Sequence, residues 1–136
     1  MAGETQTSPA GRRILLVEDE ILICLLIETI LSDAGYEVAV ANTIEEAMDA
    51  IAQGPLVAAI LDLNLKGRKV YPVAEQLAAI DTPFIFATGG GGRDIEGFPG
   101  RPWVGKPFQD VELLDAVNRL IASPEPAGSS ISGNPD

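Results

Sequence analysis

Residues 14–20 read Ile-Leu-Leu-Val-Glu-Asp-Glu, and this stretch decides the fold. Its first four residues are apolar and mostly branched, which is typical of a short strand that is buried on both faces of a parallel sheet. The strand passes directly into three acidic residues. Because ligands of such sheets bind beyond the carboxyl ends of the strands, the stretch predicts both an α/β sheet and a candidate site at its edge.

Helix and strand patterns alternate after this stretch. Further strands are predicted at residues 36–41, 56–61 and 83–87, with a short fifth at 103–104. One helix is predicted between Thr43 and Gly54-Pro55, with Thr43 and Glu46 forming a capping box. Further helices are predicted at 69–80 and at 109–122. The helix after the acids is predicted to end at Gly35 and to bury one face, consisting of Ile23, Leu26, Ile27, Ile30, Leu31 and Ala34. The alternation predicts a doubly wound, five-stranded parallel sheet with helices on both faces.

The segment between the fourth and fifth strands is short and poor in helix formers. It contains four consecutive glycines at 89–92 and prolines at 99 and 102, so the fourth helix is predicted to be short or missing and the segment to be mobile. Residues 1–11 and 123–136 are rich in small polar residues and proline, and both are predicted to be disordered. The predicted domain therefore covers residues 12–122.

Composition narrows the possible functions. The chain has 136 residues, a net charge of −11 and no histidine. The negative charge argues against nucleic acid or an anionic membrane as a partner, and the missing histidine leaves only oxygen ligands for a metal such as Mg²⁺. The single cysteine allows no internal disulfide, and there is no apolar leader, so a soluble, cytoplasmic and monomeric protein is expected.

Polar residues stand at the end of four predicted strands. Glu18 and Asp19 follow the first, Asp62 ends the third, Thr88 ends the fourth and Lys106 follows the fifth. Taken singly, each has an ordinary explanation: acids often open helices, and a lone lysine is usually solvated. Together they would meet at one sheet edge, where carboxylates can bind a hard cation and one carboxylate can attack phosphorus.

These motifs, Leu-Leu-Val-Glu-Asp-Glu, Ile-Leu-Asp-Leu-Asn-Leu, Phe-Ala-Thr-Gly and Lys-Pro-Phe, resemble those of response-regulator receiver domains over residues 12–122. The resemblance implies the strand order 2-1-3-4-5 and a domain that is not an enzyme but accepts a phosphoryl group from a histidine kinase or a histidine phosphotransfer protein. It implies the following roles: Asp62 as phosphoacceptor, Asp19, Asp62 and the Asn64 carbonyl as direct Mg²⁺ ligands, Glu18 as a ligand through water, Thr88 as switch hydroxyl and Lys106 as phosphate-pairing cation.

The Phe-Ala-Thr-Gly stretch also resembles a narrower subgroup whose members are often stand-alone receivers or are associated with HWE-type histidine kinases. Two positions depart from the usual pattern: Lys66-Gly67 stands where receivers usually have Pro-Gly, and Trp103 stands at the place of the usual switch tyrosine or phenylalanine. The sequence predicts no output domain, and three downstream roles remain as alternatives: a phosphate sink, a shuttle to a histidine phosphotransfer protein, and an allosteric partner.

Three other functions remain as alternatives. A pseudo-receiver that takes no phosphate would lack some of the key residues. A related small phosphatase would need Asp-x-Asp after the first strand, and a flavodoxin-like cofactor binder would need a loop without acids there. Leu22 and Leu25 fall outside the predicted core face, and they are expected either to contact the final helix or to form a docking surface for the phosphodonor.

Overall fold

The computed structural model describes residues 12–88, 103–105 and 109–122, with only the backbone described at Thr88 and at 103–105. The described elements, in chain order, are β1 Arg13–Val17, α1 Ile21–Asp33, β2 Glu37–Ala41, α2 Ile44–Ala52, β3 Ala58–Asp62, α3 Tyr71–Ala79, β4 Phe84–Thr88, β5 Trp103–Gly105 and α4 Asp110–Ala122. Two short strands between β3 and α3, Asn64–Leu65 and Arg68–Lys69, pair as an antiparallel hairpin. We call residues 64–69 the β3–α3 hairpin.

The central sheet is parallel, and its order is β2-β1-β3-β4-β5. This confirms the predicted strand order and fold class. β5 contributes three residues beside the end of β4. The predicted short fourth helix and mobile segment, like the predicted disordered ends, lie outside the described residues. No helix in the described ranges is long and apolar enough to cross a membrane.

Each inner strand sends alternate side chains to two separate cores. On one face, Leu15, Val17, Ala59, Leu61 and Phe86 pack with α2 and α3. On the other face, Ile14, Leu16, Ala58, Ile60 and Ile85 pack with α1 and α4. Since both faces of β1 and β3 are covered, their sequences show continuous apolar runs rather than an alternating pattern.

The ends of α1 and α2 follow the sequence signals closely, whereas α3 begins at Tyr71 rather than at the predicted Lys69, which pairs with Asn64 in the β3–α3 hairpin. Gly35, at φ +97°, ends α1, and the amides of Gly35 and Tyr36 donate to the carbonyls of Ser32 and Leu31, which is a Schellman motif. At the start of α2, the Glu46 amide donates to Thr43 Oγ1 at 3.0 Å. The Glu46 carboxylate accepts from the Asn42 amide, one residue before the expected partner in a capping box. Pro72 lies in the first turn of α3, as predicted.

The predicted inner face of α1 is partly wrong. Ile27, Ile30 and Leu31 are buried as expected, but Leu26 is 46% exposed and Ala34 is exposed. Cys24 takes a place in the buried face instead. Residues 21–27 contain only apolar residues, so the side of this helix that faces the sheet has no polar boundary in the sequence.

Candidate functional site

Three acidic residues meet where β1 and β3 end. Val17 lies beside Leu61 in the parallel register, so Glu18 and Asp62 are the next residues on adjacent strands. Glu18, Asp19 and Asp62 each offer a carboxylate oxygen, and these oxygens all lie within 4.8 Å of one another. Glu18 is 1% exposed and Asp62 is 8% exposed. The structure therefore brings together the three carboxylates that the sequence assigned to one site.

Glu18 is fixed by its own backbone and side chain. Its amide donates to the Ala41 carbonyl at 3.0 Å and so extends the pairing of β1 with β2 by one residue. Its Oε2 accepts a hydrogen bond of 3.2 Å from the amide of Glu20, directly before α1. A carboxylate at this position is favoured by the positive end of the helix dipole.

Behind Glu18 lies a polar contact that the sequence did not reveal. The Asn42 side-chain amide donates to the Glu18 carbonyl at 2.8 Å, and Cys24 Sγ donates to the same carbonyl at 3.2 Å. Burial, followed by the nearby Glu18 carboxylate, raises the pKa of the Cys24 thiol above its ordinary value. The thiol therefore stays protonated at neutral pH and acts as a donor that holds the loop rather than as a nucleophile.

The β3–α3 hairpin encloses the site from the side of Asp19. Its two turn residues both have positive φ, +51° at Lys66 and +86° at Gly67, which is the pattern of a type I′ hairpin turn. The backbone amide of Lys66 donates to Asp19 Oδ2 at 2.8 Å. Asn64, whose carbonyl was expected to be a ligand, stands at the start of the same hairpin.

The other half of the expected site is described only by its backbone register. Asp62 pairs with Ala87, so Thr88 is one residue further along the neighbouring strand, and Thr88 pairs with Gly105. The strand end that carries Thr88 thus lies at the same sheet edge as the three carboxylates. The Thr88 side chain and the whole of Lys106 lie outside the described residues, so their predicted roles stay predictions.

The donor set suits a hard divalent cation. The three carboxylates offer oxygen atoms alone, and the chain contains no histidine that would favour a softer metal. Carboxylates this close repel one another, and a cation among them offsets that repulsion. The residues present therefore fit Mg²⁺.

Next to the acids, α1 presents an apolar face. Ile21, Leu22, Leu25 and Leu26 are all exposed, with Leu22 at 76% and Leu25 at 54%. We call these four side chains the α1 apolar face. Most of each side chain faces solvent, which favours the expected docking surface over the expected contact with the final helix.

Comparison with known proteins agrees with this geometry. Residues 14–118 match the family model for the response regulator receiver domain. The chain resembles the solution structure of SdrG from Sphingomonas melonis Fr1, with 40% identity, a TM-score of 0.72 and coverage of 82% of this chain and 98% of that one. It also resembles TrrA from Thermotoga maritima in complex with Mg²⁺ and BeF, with 30% identity, a TM-score of 0.71 and coverage of 80% and 98%.

Among curated proteins, the chain is 28% identical to the cell cycle response regulator CtrA of Brucella ovis over 115 residues. That match covers 80% of this chain and 50% of CtrA, so the chain spans about half the length of this relative.

Proposed function

The chain belongs to the response regulator receiver domain family of two-component signalling, and we propose that it is an Mg²⁺-dependent phosphoryl acceptor whose acceptor residue is Asp62. One observation carries the proposal: the Asp62 carboxylate ends a central strand, is largely buried, and lies within 4.8 Å of the carboxylates of Glu18 and Asp19. Carboxylates in such proximity repel one another, and a bound divalent cation would offset that repulsion.

In the proposed reaction, an Asp62 carboxylate oxygen attacks the phosphorus of a phosphohistidine on the donor protein. A new O–P bond forms, the N–P bond breaks, and its electron pair remains on the imidazole nitrogen of the donor. When bound, Mg²⁺ would offset the negative charge of the phosphoryl oxygens during transfer. Asp19 and Asp62 are proposed as its direct ligands, with Glu18 acting through water.

The hairpin supports a role for the Asn64 carbonyl as a further ligand. Val70 donates to the Leu63 carbonyl at 3.0 Å, and Leu65 pairs with Arg68 next to the turn. Asn64 and Lys69 lie between these hydrogen-bonded positions, so they form a pair without hydrogen bonds across the ladder. The Asn64 carbonyl is therefore not used by the hairpin itself.

Thr88 and Lys106 are proposed to act on the phosphorylated form. The Thr88 hydroxyl would donate to a phosphoryl oxygen, and the Lys106 ammonium would pair with the phosphoryl charge. The register supports both assignments only through the backbone, because β4 ends beside Asp62 and β5 ends beside Thr88.

The proposed phosphodonor is a histidine kinase or a histidine phosphotransfer protein. The α1 apolar face supports this, since contiguous exposed apolar side chains tend to mark interaction surfaces, and it begins two residues after Asp19. The Phe-Ala-Thr-Gly sequence at 86–89 supports an HWE-type kinase as the donor. The domain is proposed to signal through protein contacts rather than to turn over a substrate.

Site mapping on the unmodified protein tests the proposal. The protein is incubated with acetyl phosphate with or without Mg²⁺, the acyl phosphate is reduced with borohydride, and the peptides are analysed by mass spectrometry. We expect one Mg²⁺-dependent modification, located at Asp62 and absent when EDTA is added. A modification elsewhere, or none at all, would contradict the assignment and favour a receiver-like module that takes no phosphate.

A further inference from the structure

The turn of the β3–α3 hairpin has a backbone conformation that depends on its sequence. Lys66 has φ +51°, a value that proline cannot adopt because its ring fixes φ near −65°. A Pro-Gly pair at these positions would therefore require another turn and would also remove the amide of residue 66. The Lys66-Gly67 sequence thus permits both the type I′ turn and a donor at its tip.

That donor is directed at a residue of the acidic site. The Lys66 amide lies 2.8 Å from Asp19 Oδ2, a short hydrogen bond to a charged acceptor. It occupies one oxygen of Asp19 and thereby restricts the rotation of the carboxylate group. The hairpin that provides this donor also contains Asn64, so two of the proposed ligands depend on where the hairpin lies.

The hairpin is anchored on both sides of its turn. Leu65 is buried in the core with α2 and α3, which fixes the first strand. On the second strand, Arg68 Nη1 contacts both carboxylate oxygens of Glu45 in α2, at 3.0 and 3.2 Å. The pKa of Glu45 is lowered first by a hydrogen bond from the Glu45 backbone amide and then by the Arg68 guanidinium. The Arg68–Glu45 pair is therefore charged at neutral pH.

We propose that the Lys66–Gly67 turn is a positioning element for the metal site, in which the Lys66 backbone amide orients Asp19 and the Arg68–Glu45 pair holds the hairpin in place. This inference rests on the Mg²⁺ binding proposed above. The contribution comes from the backbone of Lys66, and its ammonium group plays no part. Partners that orient metal ligands typically change metal affinity by about 10- to 100-fold when they are removed.

Two substitutions at one residue separate the amide from the side chain. Lys66→Pro removes the N–H and forbids the positive φ, whereas Lys66→Asn removes the ammonium group but retains the amide and suits a type I′ turn. Mg²⁺ dissociation constants are measured by NMR titration of the ¹⁵N-labelled full chain, and urea unfolding without Mg²⁺ reports stability. We expect Lys66→Pro to bind Mg²⁺ about tenfold more weakly, and Lys66→Asn to stay within about twofold of the wild type.

A second pair of variants keeps the test informative if Lys66→Pro does not fold. Arg68→Gln removes the anchor to Glu45, while Lys69→Gln removes another exposed positive charge from the same hairpin. Losing a positive charge near a cation site by itself favours cation binding. If the Arg68–Glu45 pair holds the hairpin in place, Arg68→Gln should bind Mg²⁺ about two- to threefold more weakly, and Lys69→Gln should show no weakening. A loss of positive charge alone would not produce this difference.

The outcomes that overturn the inference differ from those that overturn the proposed function. Wild-type affinity in Lys66→Pro, or an equal loss in Lys66→Asn, would show that the amide does not position Asp19. The same conclusion follows if Arg68→Gln and Lys69→Gln behave alike. Absence of any Mg²⁺-dependent spectral change in the wild type would overturn both, and it is recognised before any variant is made.

Discussion

The acidic site and the α1 apolar face lie next to each other, and each departs from the usual rule that charged residues are exposed and apolar residues are buried. Glu18 and Asp62 are acidic residues that are buried, whereas Leu22 and Leu25 are large apolar residues that are mostly exposed. Glu18 and Asp19 lie between β1 and α1, directly before the α1 apolar face, whereas Asp62 comes from the end of β3.

The two reversals differ in their free-energy cost. Burying carboxylates costs free energy, and carboxylates close together repel one another, so a buried acidic cluster is retained only where something else requires it. An exposed leucine costs little, and single exposed apolar residues are common on protein surfaces. The buried acids are therefore the stronger indication of function, and the leucines acquire meaning from their number and from their position beside the acids.

The largest expected effect is the loss of phosphoryl labelling when the buried Asp62 is replaced. Asp62→Asn should abolish labelling by acetyl phosphate, because a carboxamide is not a competent nucleophile for phosphorus. Without Mg²⁺ its melting temperature should rise, since one of the mutually repelling charges is gone. Asp49→Asn, which changes an exposed acid on α2, serves as the control and should label normally. Hydroxylamine-sensitive labelling of Asp62→Asn would mean that another residue is the acceptor.

The second prediction compares two sides of α1. Ile27 is fully buried, so Ile27→Ala should lower the free energy of unfolding by about 2–5 kcal/mol. Leu22→Ala removes a similar side chain from the exposed face and should change it by at most about 0.5 kcal/mol. Urea denaturation measures both. If the Leu22 variant were as destabilised as the Ile27 variant, Leu22 would be buried in solution and the α1 apolar face would not exist as described.

A third prediction concerns what the α1 apolar face binds. Leu25→Glu should slow phosphotransfer from the cognate kinase by about tenfold, because interface anchors commonly contribute more than about 1 kcal/mol. Labelling by acetyl phosphate needs no docking and should be unchanged. The matched control is Ile80→Glu, which introduces the same charge at a 47% exposed position at the end of α3, on the opposite layer. Equal slowing in both variants would remove the case for a docking surface on α1.

The smallest expected effect is a shift in melting temperature. Mg²⁺ at about five times its dissociation constant should stabilise the native state by about 1 kcal/mol, which corresponds to roughly 4 °C. Asp19→Ala should eliminate this shift. Glu20→Ala changes the exposed acid next to it and should preserve the shift. Should Asp19→Ala retain the full Mg²⁺ effect, the cation would bind elsewhere on this acidic chain.

Much of the fold follows from local patterns. The buried apolar runs predicted β1 and β3, Gly35 marked the end of α1, and Pro72 marked the first turn of α3. Because parallel strands end at a common edge, the same patterns also predicted that Glu18, Asp19 and Asp62 meet. The roles of Thr88 and Lys106 remain predictions from sequence.

The orientation of α1 was not available from the sequence. A run of seven apolar residues at 21–27 offers several equivalent faces to the sheet, and only packing against the neighbouring elements selects one. Packing placed Cys24 inside and Leu26 outside. Hydrophobicity alone does not specify this rotation, since every candidate face buries a similar apolar area.

Residue types and the short-range periodicity of strands and helices were enough to predict the parallel sheet, its edge and the acids that collect there. Tertiary structure alone decided that Asn42 and Cys24 support the Glu18 carbonyl and that the Lys66 amide contacts Asp19 across 47 residues of chain. The physical reason is that such contacts use backbone groups. Nearly every residue has the same amide and carbonyl, so their partners are set by the path of the chain and leave no mark in the order of side chains.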